Sequence, residues 1–398
     1  MVLDVWLHDR HAGVLTNDGG SLSFLYLGEY VSDTGAPALS VRLPLREEAF
    51  GQRDTLAFFA NLLPEAEQRD AVARGVGISS GNDFALLERF GDDCAGAVTI
   101  VDPAGGERPQ GVEPLEPISD SRLSELMAVD ADMPPLVAAG EVRLSLAGAQ
   151  PKLPVVARDG EYLLPTDSRH PTTHILKPAN ARFENLVHNE LFCMKLADWC
   201  GLSVAGAQVR KTRDGTEYLE VARFDRDPLT GKRLHQEDFC QALGKLPTEK
   251  YQAEGGPGLV DCFALIDEYS AIPATDKQRL WSAVVFNFLI GNCDAHAKNF
   301  SFLYESRTPR LAPLYDLVST VAYPALTRRL AMAIGSARQI DDVGSESFEE
   351  LAQSCELNVA EAMTRARALA ERAAAGADPE VDEVIAAGVR QRASRLGV

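Results

Sequence analysis

Between residues 292 and 316 the chain sets an aspartate, an asparagine five positions later and a second aspartate beyond a β-like stretch: Asp294, Asn299 and Asp316. A carboxylate next to a hydroxyl can take its proton, and an Asn with an Asp offers the hard oxygens that Mg²⁺ prefers. In this order the three suit transfer of a phosphoryl group to a hydroxyl. His296 and Lys298 lie in the same loop and can steady it or face a γ-phosphate. There is a plainer possibility: Asp and Asn are frequent turn formers, and His296 can be a structural histidine.

A nucleotide also has to be gripped. Ser145-Leu146-Ala147-Gly148-Ala149-Gln150 joins two expected strands and is built almost wholly of small residues. Small side chains let backbone N–H groups approach phosphate oxygens. The expected nucleotide-binding set here is Ser145, Ala147, Gly148, Ala149, Gln150 and the following Lys152, although an ordinary hairpin turn has the same composition. Lys177 ends a short apolar strand and can neutralise the α and β phosphates, with Glu190 thirteen residues on as its ion-pair partner. The alternative is a solvated strand-end lysine and a surface glutamate. After His235, the run Gln236-Glu237-Asp238-Phe239 offers backbone for an adenine edge and a ring for the base, or is a plain connection between lobes.

The elements that must position these residues are partly readable. Short β-type runs at 3–8, 12–16 and 21–27 surround Asn17-Asp18-Gly19-Gly20, a hairpin turn signal. A helix from Thr55 stops before Pro64. The segment 102–118, rich in Pro and Gly, reads as a linker, and a helix follows at 120–128. Strands are expected at 142–147, 153–157, 161–164, 174–177, 203–210 and 217–223, with an amphipathic helix from Asn185 to Cys200 and Gly201 just past its end. Beyond them the chain turns helical. Thr275-x-x-Gln278 reads as the capping box of a helix to about Ile290 that is apolar on nearly every side. Ser347-x-x-Glu350, Asn358-x-x-Glu361 and Asp378-Pro379 read as further helix starts. The order is a small β-rich module, a sheet with one prominent helix, then a helical lobe.

Composition narrows the function classes. At 398 residues the chain suggests two or three domains. Its 39 basic and 58 acidic side chains give a net charge of −19, which disfavours tight non-specific binding to nucleic acid or anionic membrane. Arg328, Arg329, Arg390, Arg392 and Arg395 are the small basic candidates. Seven scattered cysteines, none in a Cys-x-x-Cys pair, argue against a disulfide framework and fit a reducing cytoplasm. No signal-like or membrane-spanning segment is expected.

Taken together, the loop, lysine, helix glutamate, hinge, Asp, Asn and Asp resemble the HipA family of bacterial serine/threonine kinases, the toxins of HipBA-type toxin–antitoxin modules. The stretches that carry the resemblance include Arg143 to Lys152, Thr172 to Lys177, Asn189-Glu190, Arg223-Phe224-Asp225-Arg226 and His235 to Gln241. They continue with Lys250-Tyr251 and Gly255-Gly256-Pro257-Gly258, Leu289 to Phe300, Leu314-Tyr315-Asp316 and Leu330-Ala331-Met332. Less sharply, Val5-Trp6-Leu7 and Asn61 to Glu65 are similar to the family's small β-domain.

The resemblance implies an α+β, two-lobed protein-kinase-like fold. Its expected parts are an N-terminal subdomain at 1–138, a β-rich kinase N-lobe at 139–238 and an all-helical C-lobe at 239–398. It implies ATP and Mg²⁺, with Asp294 as catalytic base, His296 and Lys298 beside it, and Asn299 and Asp316 on the metal. It further implies a HipB-like helix-turn-helix antitoxin that alone brings the complex to DNA, a protein substrate such as an aminoacyl-tRNA synthetase, and inhibitory autophosphorylation at Ser145. Pro151 stands where many members carry Glu, and it removes one N–H that could contact phosphate. Two other classes compete: a nucleotide-binding regulatory subunit without transferase activity, and a kinase for a small molecule or phosphoinositide. The intact Lys177, Asp294, Asn299 and Asp316 weigh against the first. The acidic chain, with no evident membrane-binding helix, weighs against a lipid headgroup.

Overall fold

The computed structural model describes residues 1–103, 115–128, 150–165, 170–180, 182–305 and 307–398. The chain forms two compact units. The first comprises Met1–Val187, Gln208–Glu237 and Leu303–Arg307; the second comprises His188–Ala207, Asp238–Phe302 and Thr308–Val398.

The first unit holds two sheets. β1 (Val2–Leu7), β2 (Arg10–Asp18), β3 (Ser21–Tyr26) and β4 (Val98–Val101) pair in the order β3-β2-β1-β4. The Asn17 to Gly20 turn joins β2 to β3, with Asp18 opposite Ser21. Leu3, Val5 and Leu7 alternate inward along β1. They meet an aromatic cluster of Phe24, Tyr26, Phe50, Phe58 and Phe59, so this module has its own core. The second sheet uses β5 (Glu116–Pro117), β6 (Leu153–Arg158), β7 (Glu161–Leu164), β8 (His174–Pro178), β9 (Ala207–Lys211) and β10 (Glu217–Ala222), in the order β5-β7-β6-β8-β10-β9. Leu153, Val155, Leu164, Leu176 and Tyr218 pack with Leu123, Leu126 and Met127 of the helix Asp120–Met127.

Buried charge joins the N-terminal module to this second sheet region. Asp93 lies 2.7 Å from Arg233 and 3.3 Å from Arg226, while Asp225 lies 2.7 Å from Arg223 and 3.1 Å from Arg226. Thr172 Oγ1 donates to Asp93 at 2.6 Å, and the Gly96 N–H donates to Asp225 at 2.7 Å. Burial alone would raise the Asp225 carboxyl, but Arg223 and Arg226 override it and hold the group well below the usual carboxylate range.

The second unit is helical around Pro273–Ile290, with Leu259–Tyr269, Val359–Gly376 and Glu383–Ser394 against it. Trp281 Nε1 donates to the Ala362 carbonyl at 2.9 Å within this core. The unit is not wholly helical: Arg329–Ile334 and Ala337–Gln339 form a hairpin. Three expected helix starts shift. The helix through Thr275 begins at Pro273, because Pro at the first position is already set for helical φ. Ser347 lies inside Ser345–Ser354, and Pro379 sits in a turn before the true cap, Asp382. Asn358 does cap its helix, accepting from the Glu361 N–H at 3.1 Å.

All seven cysteines are buried and none is in a disulfide. Among the described residues no helix is long and apolar enough to cross a membrane. Of the basic candidates, Arg328 pairs with Asp341 and buried Arg392 donates to the Leu289 carbonyl.

Candidate active site

The central helix ends where the chemistry begins. Gly291 takes the left-handed conformation (φ 77°), and a Cβ there would lie 2.3 Å from Val321. Only glycine permits both the turn and that approach. The chain then enters a loop held from several sides. Asn287 accepts from Asn292 Nδ2 at 2.8 Å, Asn292 accepts from the Asp294 N–H at 3.0 Å, and the Asp294 carbonyl accepts from the His296 N–H at 2.8 Å. Thr320 Oγ1 accepts from the Cys293 N–H at 2.8 Å and donates to the Gly291 carbonyl at 3.1 Å. The Asp294 side chain, so presented, is exposed.

Asn299 closes a short 3-10 turn, Ala297–Asn299, and is half-buried. Asp316 is also half-buried and has φ 51°, a left-handed conformation that costs a non-glycine residue about 1 kcal/mol or more. Tyr315 fastens these two segments together. Its hydroxyl donates to the Lys298 carbonyl at 2.6 Å, and Ser301 Oγ donates to it at 2.6 Å. Burial, together with the nearby Asp238 and Asp316 carboxylates, pushes the phenol well above its ordinary range, so it stays a donor. Beyond Asp316, the Asn189 amide grips the main chain of Ser319, donating at 3.0 Å and accepting at 2.8 Å. The loop end carrying Asn299 and the strap carrying Asp316 are therefore stitched together, and both offer oxygen ligands suited to Mg²⁺.

The remaining expected residues fall into different surroundings. Lys298 is buried, with its ammonium 3.3 Å from Asp238. His296 is buried with its ring edge-on to Tyr251, centroids 5.4 Å apart. Lys177 lies on β8 opposite Leu219, and Glu190 lies in the helix Leu186–Trp199. Both are buried, which removes the solvated-lysine and surface-glutamate alternative. Gln150 and Lys152 are half-buried just before β6. Ser145, Ala147, Gly148 and Ala149 lie outside the described residues.

The run 236–239 needs correction. Phe239 is fully buried against Phe300 and Phe302 and has no ring face to offer a base. Glu237 is equally buried, and its carboxylate accepts from Ser40 Oγ, the Val41 N–H and Tyr304 Oη. Asp238 caps the short helix Phe239–Ala242 by a reciprocal pair with Gln241, and Gln236 reaches Asp225 at 3.4 Å. These side chains are spent on structure, and only the backbone of the run is left for an adenine. The Phe239 ring reads as a partner for a base in the sequence because burial is not written there.

Two residues with no expected role stand at the centre. Asn189 is the clamp described above. Tyr251 Oη donates to Asp294 Oδ1 at 2.8 Å. At 43 positions apart in the chain, no local spacing could have pointed to the pair.

Known proteins resemble the chain over most of its length. The family model described as HipA-like C-terminal domain matches residues 144–377, and that described as HipA N-terminal domain matches residues 3–101. Y4mE of Sinorhizobium fredii, a protein named as a kinase, is 43% identical over 88% of this chain and 85% of its own. The serine/threonine-protein kinase toxin HipA of Shewanella oneidensis is 33% identical over 84% of this chain and 78% of its own. A solved structure of the Shewanella oneidensis toxin–antitoxin system, with HipA, HipB and operator DNA, superposes with a TM-score of 0.83. The identity there is 28%, covering 99% of this chain and 95% of the other.

Proposed function

Since the chain belongs to the HipA family, whose named relatives are kinases, we propose that it is a serine/threonine protein kinase of a toxin–antitoxin system. The observation that supports this is the clasp by Tyr315, Thr320 and Asn189, which ties the loop carrying the exposed Asp294 and Asn299 to the segment carrying Asp316. Asp294 orients the acceptor hydroxyl and takes its proton. Asn299 and Asp316 would hold Mg²⁺, which when bound would compensate charge on the transferring phosphoryl group. Lys177 is assigned to the α and β phosphates of ATP, and Glu190 to the support of that role. His296 and Lys298 keep the loop in shape, Lys298 through Asp238. Labelled Mg-ATP tests this directly: the native chain should transfer the γ-phosphate to protein, and Asp294→Ala should not. Transfer at a near-native rate by Asp294→Ala would sink the assignment.

The finer parts are ours too. Self-phosphorylation at Ser145 would add a charge of about −1.5 to −2 beside the small-residue loop, competing with the nucleotide's phosphates. Phosphate found on Ser145 after incubation with Mg-ATP, absent in Asp294→Ala, is the expected result. The partner is a basic helix-turn-helix antitoxin like HipB, because a chain of net charge −19 repels a polyanion by itself. Operator binding should therefore need that partner, and a gel shift with the chain alone should show none. The protein substrate, an aminoacyl-tRNA synthetase in our proposal, is identified by comparing phosphoproteomes of cells expressing the native chain and Asp294→Ala.

A further inference from the structure

Lys250-Tyr251 and the glycine-rich run at 255–258 have no part in the chemistry above, yet they are built against it. The Tyr251 carbonyl accepts from the Glu254 N–H at 2.9 Å and the Gly256 N–H at 3.0 Å. A Cβ on Gly256 would lie 2.1 Å from the Glu249 carbonyl oxygen and 2.7 Å from that of Tyr251, so no other residue fits without moving the turn. Next to Tyr251, Gln252 Oε1 accepts from the Ala333 N–H at 2.7 Å. Ala333 belongs to the strand Arg329–Ile334, whose Ala331 N–H donates to the Cys293 carbonyl at 2.8 Å, one residue before Asp294. The bond from Tyr251 Oη to Asp294 Oδ1 closes this circuit. Both partners are thus fixed to one strand, which sets the contact apart from a chance meeting of surface side chains.

We propose that Tyr251 is a positioning residue for phosphoryl transfer: its hydroxyl holds Oδ1 of Asp294 and so reserves Oδ2 for the acceptor. This rests on Asp294 being the catalytic base. Among the described residues Tyr251 is the one side chain bonded to that carboxylate. Without it the carboxylate of an exposed residue is free to rotate about its last torsion, which is broad for Asp. In the step itself the acceptor oxygen bonds to the γ-phosphorus, the bond to the bridging oxygen of ADP breaks, and the acceptor proton passes to Oδ2. Tyr251 keeps its own proton throughout. The turn that carries it is closed by its own main-chain hydrogen bonds to the Tyr251 carbonyl.

Tyr251→Phe is the test, because it keeps the ring against His296 and removes only the hydroxyl. The probe is Mg-ATP, with γ-phosphate incorporation into the full chain as readout. The rate at saturating ATP should fall about ten-fold, the effect of one lost orienting hydrogen bond. The ATP concentration for half-saturation and the melting temperature should stay unchanged, which a loss of folding would not allow. Gly256→Ala, which displaces the Tyr251 backbone, should produce a similar loss, and combining it with Tyr251→Phe should cost little more. An unchanged rate in Tyr251→Phe overturns the proposal, and so does a faster one, which would make the tyrosine a plug. Absence of transfer by the native chain would instead overturn the kinase assignment, and this inference with it.

Discussion

In the first unit, Asp93, Arg223, Asp225, Arg226 and Arg233 are buried together and answer one another with ion pairs as short as 2.7 Å. In the second, Asp294 is exposed with one tyrosine hydroxyl on it, and Asp316 is half-buried in a left-handed backbone conformation. Both regions are rich in aspartate, and the difference lies in what surrounds the carboxylates. Acids closed off by guanidinium groups, such as Asp225, are held ionised and serve to join the N-terminal module to the sheet beside it. Acids left partly open are in a position to meet a proton or a metal. The residue type is shared; access is what separates a strut from a reagent.

The sharpest way to break the comparison is to swap the expected outcomes. Asp294→Asn and Asp316→Ala should each lower transfer by about 10²-fold or more while leaving the melting temperature near that of the native chain. Asp225→Ala should do the reverse. It strands Arg223 and Arg226 in the interior and should cost about 3–5 kcal/mol of stability, read by chemical denaturation. If Asp225→Ala proved as stable as the native chain, the seam would not be the joint described here.

A smaller effect comes from pH. His235 is fully buried, its Nε2–H donates to the Leu39 carbonyl at 2.8 Å, and burial lowers its pKa to about 4. Unfolded, it takes up a proton near the ordinary value of about 6.5, so between there and pH 4 the unfolded chain binds more protons. Stability should therefore be intact above pH 6.5 and fall as pH drops toward 4, by up to about 1.4 kcal/mol per pH unit. His235→Asn should flatten that part of the profile in denaturation experiments. Least affected should be Lys298→Met. Its ammonium serves Asp238 at 3.3 Å in our assignment, so transfer should fall only several-fold, by about 1 kcal/mol in barrier terms. A loss as deep as that of Asp294→Asn would move Lys298 from loop support to the reacting phosphate.

Much of the architecture is legible in the sequence. The Asn17 to Gly20 turn set the register of β2 on β3, and Asn358 marked its helix start. These are local events, decided by dihedral preference within a few residues. Local signals misled where a second one competed. Thr275 was overruled by Pro273, and Asp378-Pro379 by the cap at Asp382.

For the candidate site, residue chemistry and order pointed to Asp294, Asn299 and Asp316 as candidates, because the phosphoryl transfer we propose needs a base and hard-oxygen ligands whatever the fold. Their resemblance to a known family carried the rest of the reading. The burial of Phe239 and Glu237 was decided only by tertiary structure, as were the Asn189 clamp and the bond from Tyr251 to Asp294. The physical reason is distance along the chain. Side chains 43 or 130 residues apart leave no periodic trace of each other, and whether a carboxylate ends as strut or reagent depends on which neighbours folding brings to it.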